Sequence, residues 1–274
     1  MANDSTREAP SAPPAVVTVL THRGAVREAN EDALVIGPCT VAGVDMTDPV
    51  TLTVPLTSPL VVAVADGLGG HAAGEVAAAL AVNRLAKAGA GLADREEITA
   101  LLERINEELY EAVDGDPRLT AMGTTVAGLV LTPGEALWFN VGDSRVYREV
   151  AGRLSQLSED DSPRHPDGRP LSPTSVVMQA LGGSLALRAI TPHVGADPVE
   201  HPTRWLLCSD GLTDLVSDAD LAWILAAAPA DDPAAVRSLF TAAMDASGRD
   251  NITIALVRYD PRHAHAAGRS PSRD

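Results

Sequence analysis

Three short apolar runs in this chain each meet an aspartate, and that pattern restricts the fold more than any other feature. Leu60-Val61-Val62-Ala63-Val64-Ala65 runs into Asp66-Gly67. Trp205-Leu206-Leu207-Cys208-Ser209 runs into Asp210-Gly211, and Asp250-Asn251 opens onto Ile252-Thr253-Ile254-Ala255-Leu256-Val257. Apolar runs of this length, bounded by Gly and polar residues, read as buried strands. An ionised carboxylate at the mouth of such a strand is costly unless something pairs with it. Hard divalent cations such as Mg²⁺ or Mn²⁺ take oxygen ligands and suit several carboxylates at once. The pattern points to metal chemistry.

The remaining elements suggest how those strands are covered. Val16–Leu20 reads as an opening strand, and residues 39–57, which mix β-branched residues with turn formers, fit a hairpin. A Gly-rich turn after Asp66 leads into an Ala/Val/Leu helix over about Gly74–Lys87. Ile98, Leu101, Leu102, Ile105, Leu109 and Val113 form an apolar stripe at helical spacing. Strands are expected over Thr125–Leu131, Ala136–Val141 and Arg145–Glu149, with turns at Pro133-Gly134 and Gly142-Asp143. Residues 158–175 read as loop, residues 218–228 and 233–246 as helices, and 251–259 as a last strand. Many strands around two pairs of helices favour layered sheets covered by helices over alternating βαβ units.

The 274 residues suffice for a full core, and no proline- or serine-rich linker divides them. One domain over residues 15–260 is expected, with a polar, disordered arm at 1–14 and a similar tail at 261–274. A net charge of -16 argues against nucleic acid or anionic membrane as a partner. No apolar stretch approaches the roughly 20 residues of a bilayer span. Met1–Thr6 lacks the layout of a signal peptide, so a cytoplasmic protein is expected. Cys39 and Cys208 make no disulfide framework, and Cys208, inside an apolar run, reads as a core residue.

Two segments carry further chemistry. Asp66-Gly67-Leu68-Gly69-Gly70 allows a sharp turn after a strand, and the Gly67 carbonyl is a further hard oxygen ligand beside Asp66. Taken alone, an Asp-Gly turn is also ordinary turn chemistry. In His22–Asp32, Arg27 stands four residues ahead of Glu31-Asp32. Arg27 has the geometry to clamp a phosphate, and Glu31 and Asp32 the chemistry to hold metal-bound waters. A solvated charged loop fits the same residues.

Taken together, five segments resemble the type 2C metal-dependent protein serine/threonine phosphatases in order and spacing. They are "GAVREANEDA" (24–33), "VVAVADGLGGHAAGE" (61–75), "MGTT" (122–125) with "NVGDSRVYR" (140–148), "LLCSDGLTDLV" (206–216) and "GRDNITIALV" (248–257). The resemblance implies an α+β fold, a four-layer α-β-β-α sandwich of two antiparallel sheets flanked by helix pairs. It implies that Asp66 bridges two Mn²⁺ or Mg²⁺ ions, with the Gly67 carbonyl, Asp210 and Asp250 as further ligands. Asp143 matches the aspartate that, with Asp210, holds a third ion in bacterial members. Arg27 matches the phosphate-binding arginine, and Asp32 and Glu31 reach the metals through water. The activity implied is hydrolysis of phosphoserine and phosphothreonine in proteins by a metal-bridging hydroxide, reversing Ser/Thr kinase signalling. Phosphorylated proteins, a Ser/Thr kinase among them, are the expected partners of a monomer.

The chain departs from the family pattern in places. Leu68 stands where many eukaryotic members carry a histidine general acid, which leaves leaving-group protonation to metal-bound water. His71 reads as a turn or surface residue. The loop at Asp160–Thr174 is short for the helical flap usual before Gln179, where an arginine often stands. The alternative reading is an inactive pseudophosphatase that binds phosphoproteins through Arg27. An aspartyl-phosphate phosphatase of another fold would need a second aspartate where Leu68 stands.

Overall fold

The computed structural model describes residues 13–69, 72–163 and 176–262. The amino-terminal half contains strands β1 (Ala15–His22), β2 (Ala33–Ile36), β3 (Cys39–Ala42), β4 (Val50–Val54), β5 (Leu60–Ala65) and β6 (Gly67–Leu68). Helices α1 (Ala72–Ala88) and α2 (Arg95–Gly115) follow. Next come β7 (Gly123–Thr124), β8 (Val126–Leu131), β9 (Glu135–Val141), β10 (Arg145–Val150) and β11 (Arg153–Gln156). The remainder comprises β12 (Leu181–Gly182), β13 (His193–Pro198), β14 (Thr203–Cys208), α3 (Asp210–Thr213), α4 (Asp218–Ala227), α5 (Asp232–Asp245) and β15 (Ile252–Tyr259).

Two six-stranded sheets form the centre, ordered β11-β10-β14-β15-β1-β4 and β13-β9-β8-β5-β2-β3. Neighbouring strands pair antiparallel throughout both. Strand β5 explains the layering. Leu60, Val62 and Val64 point into the core between the sheets, against Val17, Leu129, Trp205 and Val257. Val61, Ala63 and Ala65 point the other way, onto Ala77, Ala81, Leu85, Ile98, Leu102 and Ile105 of α1 and α2. Period-two alternation with both faces apolar is what turns a strand into an inner layer. Strand β14 and strand β15 do the same from the other sheet, with Leu206, Cys208, Ile254 and Leu256 packed on Leu221, Leu225, Val236 and Leu239. The architecture is the expected four-layer α-β-β-α sandwich.

Local signals set the helix limits. The Asp94 carboxylate accepts the Glu97 N–H (2.9 Å) and the Glu97 carboxylate accepts the Ala93 N–H (2.6 Å), a reciprocal cap that starts α2. The Ser217 and Asp231 side chains accept the Asp220 and Ala234 N–H groups and start α4 and α5. Cys208 is fully buried, as expected, and burial pushes its thiol up to about 12.

The hairpin expected over residues 39–57 does not form. Strand β3 pairs with β2 in one sheet and β4 pairs with β1 in the other, so the intervening residues cross between sheets. They are held by the Met46 N–H on the Thr21 carbonyl (2.8 Å) and the Arg23 N–H on the Asp45 carboxylate (2.8 Å). β-Branched composition marks a strand but not its partner, which tertiary packing selects. His71 and residues 164–175 of the expected loop lie outside the described residues, as do the arm through residue 12 and the tail from 263. Among the described residues, no helix is long and apolar enough to cross a membrane.

Candidate metal centre

Antiparallel pairing brings the aspartates to one end of the sandwich. Strand β14 ends where β15 begins, with Cys208 opposite Ile254, so Asp210 and Asp250 flank the same edge. His22 pairs with Ile252 and Arg145 with Cys208, which delivers the 23–32 segment and Asp143 to that end too. In the other sheet Ala33 pairs with Ala65, which sets Asp32 across from Asp66.

The turn after β5 is built from backbone. The Asp66 carbonyl accepts the Thr125 N–H and the Thr124 hydroxyl, both at 2.9 Å. Gly67 then pairs with Thr124. A Cβ on Gly67 would overlap the carbonyl oxygens of Gly74 and Glu31, so the first turn of α1 sits directly on this turn. A Cβ on Gly211 would likewise overlap the Asn251 carbonyl, which lets the start of α3 close onto β15.

Burial and mutual repulsion dominate the electrostatics. Asp66 is held well above the usual carboxylate range, first by burial and then by Asp32, Asp210, Asp143 and Asp250. Burial, then Asp250 and Asp214, push Asp210 up to about 6, although its hydrogen bond with Asp66 opposes the shift. Asp143, 8% exposed, is pushed up to about 7 by burial and by Asp210. Asp32 is fully buried and also pushed up to about 7; the first cause is burial, which hydrogen bonds from Thr253 and Ser209 partly offset. The Ser209 hydroxyl donates to Asp32 Oδ2 at 2.8 Å, while Asp32 Oδ1 is buried with no hydrogen-bond partner.

Asp32, Asp66, Asp143 and Asp210, all with raised proton affinity and one with an orphaned buried oxygen, form an all-oxygen donor set with Asp250. That chemistry fits a hard divalent cation, which would replace protons as the counter-charge. Among the described residues no three acidic, histidine or cysteine side chains close around a single point, so backbone carbonyls such as that of Gly67, and water, would complete the coordination of an ion.

Arg27 and Glu31 stand differently. Arg27 Nη2 donates to Asp250 Oδ2 at 2.7 Å, and the arginine side chain is about half exposed at the rim. Its charge also acts on Asp66 and Glu31. The Glu31 carboxylate lies against Gly74 in the first turn of α1, where free helix N–H groups favour an anion. Its own N–H donates to Asn251 Oδ1 at 2.8 Å.

Sequence reasoning gave Asn251, Ser209 and Thr253 no role. Asn251 Nδ2 donates to the carbonyls of Arg23 (3.1 Å) and Ala29 (2.9 Å), which fixes the Arg27 loop to the start of β15. Ser209 donates to Asp32 and its hydroxyl accepts the Thr253 N–H at 3.0 Å. The available signal was position alone, since each stands one to three residues from a candidate ligand.

Comparison with known proteins bears on the family and the fold. Residues 45–252 match the family described as Protein phosphatase 2C. The chain is 33% identical over 218 residues to the serine/threonine phosphatase stp of Listeria monocytogenes, covering 73% of this chain and 84% of that protein. It is 30% identical over 260 residues to the serine/threonine protein phosphatase PstP of Mycobacterium tuberculosis, covering 87% of this chain but 44% of that longer protein. The crystal structure of the Mycobacterium tuberculosis phosphatase PstP/Ppp superposes with a TM-score of 0.72 at 26% identity, covering 90% of this chain and 99% of that one. A PstP catalytic domain in complex with two manganese ions gives 0.70 at 27% identity, covering 90% and 100%. By sequence and by fold, the chain belongs to the protein phosphatase 2C family.

Proposed function

We propose that this chain is a metal-dependent phosphatase acting on phosphoserine and phosphothreonine in proteins, and that Asp66, Asp210 and Asp250 are its central ligands. The observation that carries this reading is the convergence of Asp32 and Asp66 from one sheet with Asp143, Asp210 and Asp250 from the other, beside a rim arginine. In this reading Asp66, the Gly67 carbonyl, Asp210 and Asp250 hold two Mn²⁺ or Mg²⁺ ions. Asp143 with Asp210 holds a third, and Asp32 and Glu31 act through water. The bound ions supply hydroxide from water near neutral pH and neutralise charge on the phosphoryl group.

The protein's own residues then have distinct tasks. Arg27 can turn its planar fork from Asp250 toward a phosphate, orienting it for in-line attack. Ser209 fixes one oxygen of the Asp32 carboxylate and leaves the other without a protein partner. Leu68 offers no proton, so the leaving serine or threonine oxygen takes one from water. Substrates in this reading are phosphorylated proteins, a Ser/Thr kinase among them, met by a cytoplasmic monomer.

Mn²⁺-dependent release of phosphate from a phosphothreonine peptide, abolished by Asp210→Ala, is the expected result. Mn²⁺ binding without turnover by the intact chain would instead identify an inactive, phosphoprotein-binding relative.

A further inference from the structure

Asp161 commits every polar group it has to another segment. Its N–H donates to the Gly142 carbonyl (3.0 Å) and its carbonyl accepts the Met178 N–H (2.7 Å). Oδ2 accepts the Gly142 N–H at 2.9 Å and Gln179 Nε2 at 2.8 Å. Oδ1 lies 2.9 Å from His193 Nε2, which carries the proton because the carboxylate can only accept. Gln179 extends the tie, since its Oε1 accepts the Thr191 N–H at 2.6 Å and its Nε2 reaches the Thr191 carbonyl at 3.1 Å.

The neighbouring aspartate completes the arrangement. Asp160 receives Arg145 through Nε, at 3.0 Å to each oxygen, and through Nη2 at 2.7 Å. The Asp160-Asp161 pair therefore grips both ends of Gly142-Asp143-Ser144-Arg145. The backbone of Asp143 is thus held on both sides, at Gly142 and at Arg145. On its far side Asp161 holds Met178 and Gln179, which with Leu68 line a groove of about 620 Å³ beside the Asp66 turn.

We propose that Asp161, with His193 and Gln179, is a positioning residue for Asp143, coupling the wall of this groove to the third-cation site. The proposal rests on the reading of Asp143 as a ligand of that third ion. A carboxylate held by its turn at both ends meets a cation without losing the entropy of ordering, as outer-shell partners of metal ligands generally ensure.

The test counts Mn²⁺ ions bound by the full chain, using calorimetry and electron paramagnetic resonance, with no substrate present. In the unaltered protein a weak class of binding accompanies a tight one, and Asp143→Ala removes only the weak class. Asp161→Ala and His193→Ala are expected to weaken that class about tenfold or more, the usual scale for an outer-shell partner, while the tight class holds. Asp161→Asn, which keeps an oxygen for the Gly142 N–H, recovers most of the affinity. His193→Ala and Gln179→Ala each remove one partner and carry the test should Asp161→Ala fail to fold. A weak class lost in Asp143→Ala but unchanged in these variants overturns the proposal. A weak class that survives Asp143→Ala overturns the third-ion reading beneath it.

Discussion

The Ser209 hydroxyl donates to Asp32 Oδ2 across 2.8 Å although the two residues come from different sheets of the sandwich. Both are fully buried, so bulk solvent is not at hand to replace the bond. Ser209→Ala takes a donor from Asp32 and strands the Thr253 N–H. The expected loss of stability is about 1–3 kcal/mol, the cost of unsatisfied buried groups. Thermal melts of the metal-free protein measure it, and Mn²⁺ titration should show weaker binding in the same variant.

Stability of the metal-free protein should depend on pH with an unusual sign. Asp32 and Asp143 are pushed up to about 7 and Asp210 to about 6, against roughly 3.9 for an unfolded aspartate. Between those values the native state binds more protons than the unfolded one, so stability falls as pH rises from about 4 to 7. Below that window both states are protonated and the penalty vanishes. Denaturant midpoints at pH 5 and pH 7.5 test the sign, and a higher midpoint at pH 7.5 in chelator would contradict it. Mn²⁺ affinity should rise over the same range, because binding expels those protons.

Arg27→Ala separates function from folding. The Arg27–Asp250 pair is partly exposed, and such pairs contribute only about 0–1 kcal/mol. Melting should barely change, while kcat/KM on a phosphopeptide should fall at least about tenfold with loss of the clamp. Arg27→Lys should recover little of it, since an ammonium lacks the planar fork. Steady-state kinetics on all three proteins decides the matter.

Gly67→Ala should damage both fold and site. The added methyl meets backbone at Gly74 and Glu31, which cannot swing aside as a side chain would. Overpacking of this kind costs about 1–3 kcal/mol. Gly134→Ala is the contrasting control, because nothing stands near a Cβ there. Paired melts of the two variants should differ by most of that amount.

Asn251→Ala should release the Arg27 loop. Its amide satisfies the Arg23 and Ala29 carbonyls and the Glu31 N–H from a nearly buried position. Faster hydrogen exchange confined to residues 23–31, with β15 still protected, is the expected signature.

The elements most legible in the sequence were those whose burial is uniform along the strand. Strands β5 and β14 show six consecutive buried residues each, and an unbroken apolar run records that directly. The stripe from Ile98 to Val113 marked α2 because one helical face is buried and the other is charged. Strand β13 escaped notice, since His193–Pro198 is half-buried and carries Gly, Asp and Pro. The partners of β3 and β4 were illegible for a different reason: pairing is decided by distant residues. The same holds within the site. Aspartates at strand ends announce themselves, but Ser209 with Asp32 and Asp161 with His193 are side-chain meetings across 177 and 32 residues. No periodicity encodes such meetings.

The two sheets meet at two ends, and the ends are fastened by different means. At one, the Tyr259 hydroxyl of β15 reaches the Pro133 carbonyl between β8 and β9 at 3.2 Å, a neutral tie that asks nothing of the solvent. At the other stand carboxylates drawn from both sheets, which repel one another when ionised. In the proposed reading an ion there would be a rivet through the seam as well as a reagent. Chelation should loosen the sandwich from the catalytic end alone, and a half-assembled chain, lacking one sheet, cannot acquire the chemistry early.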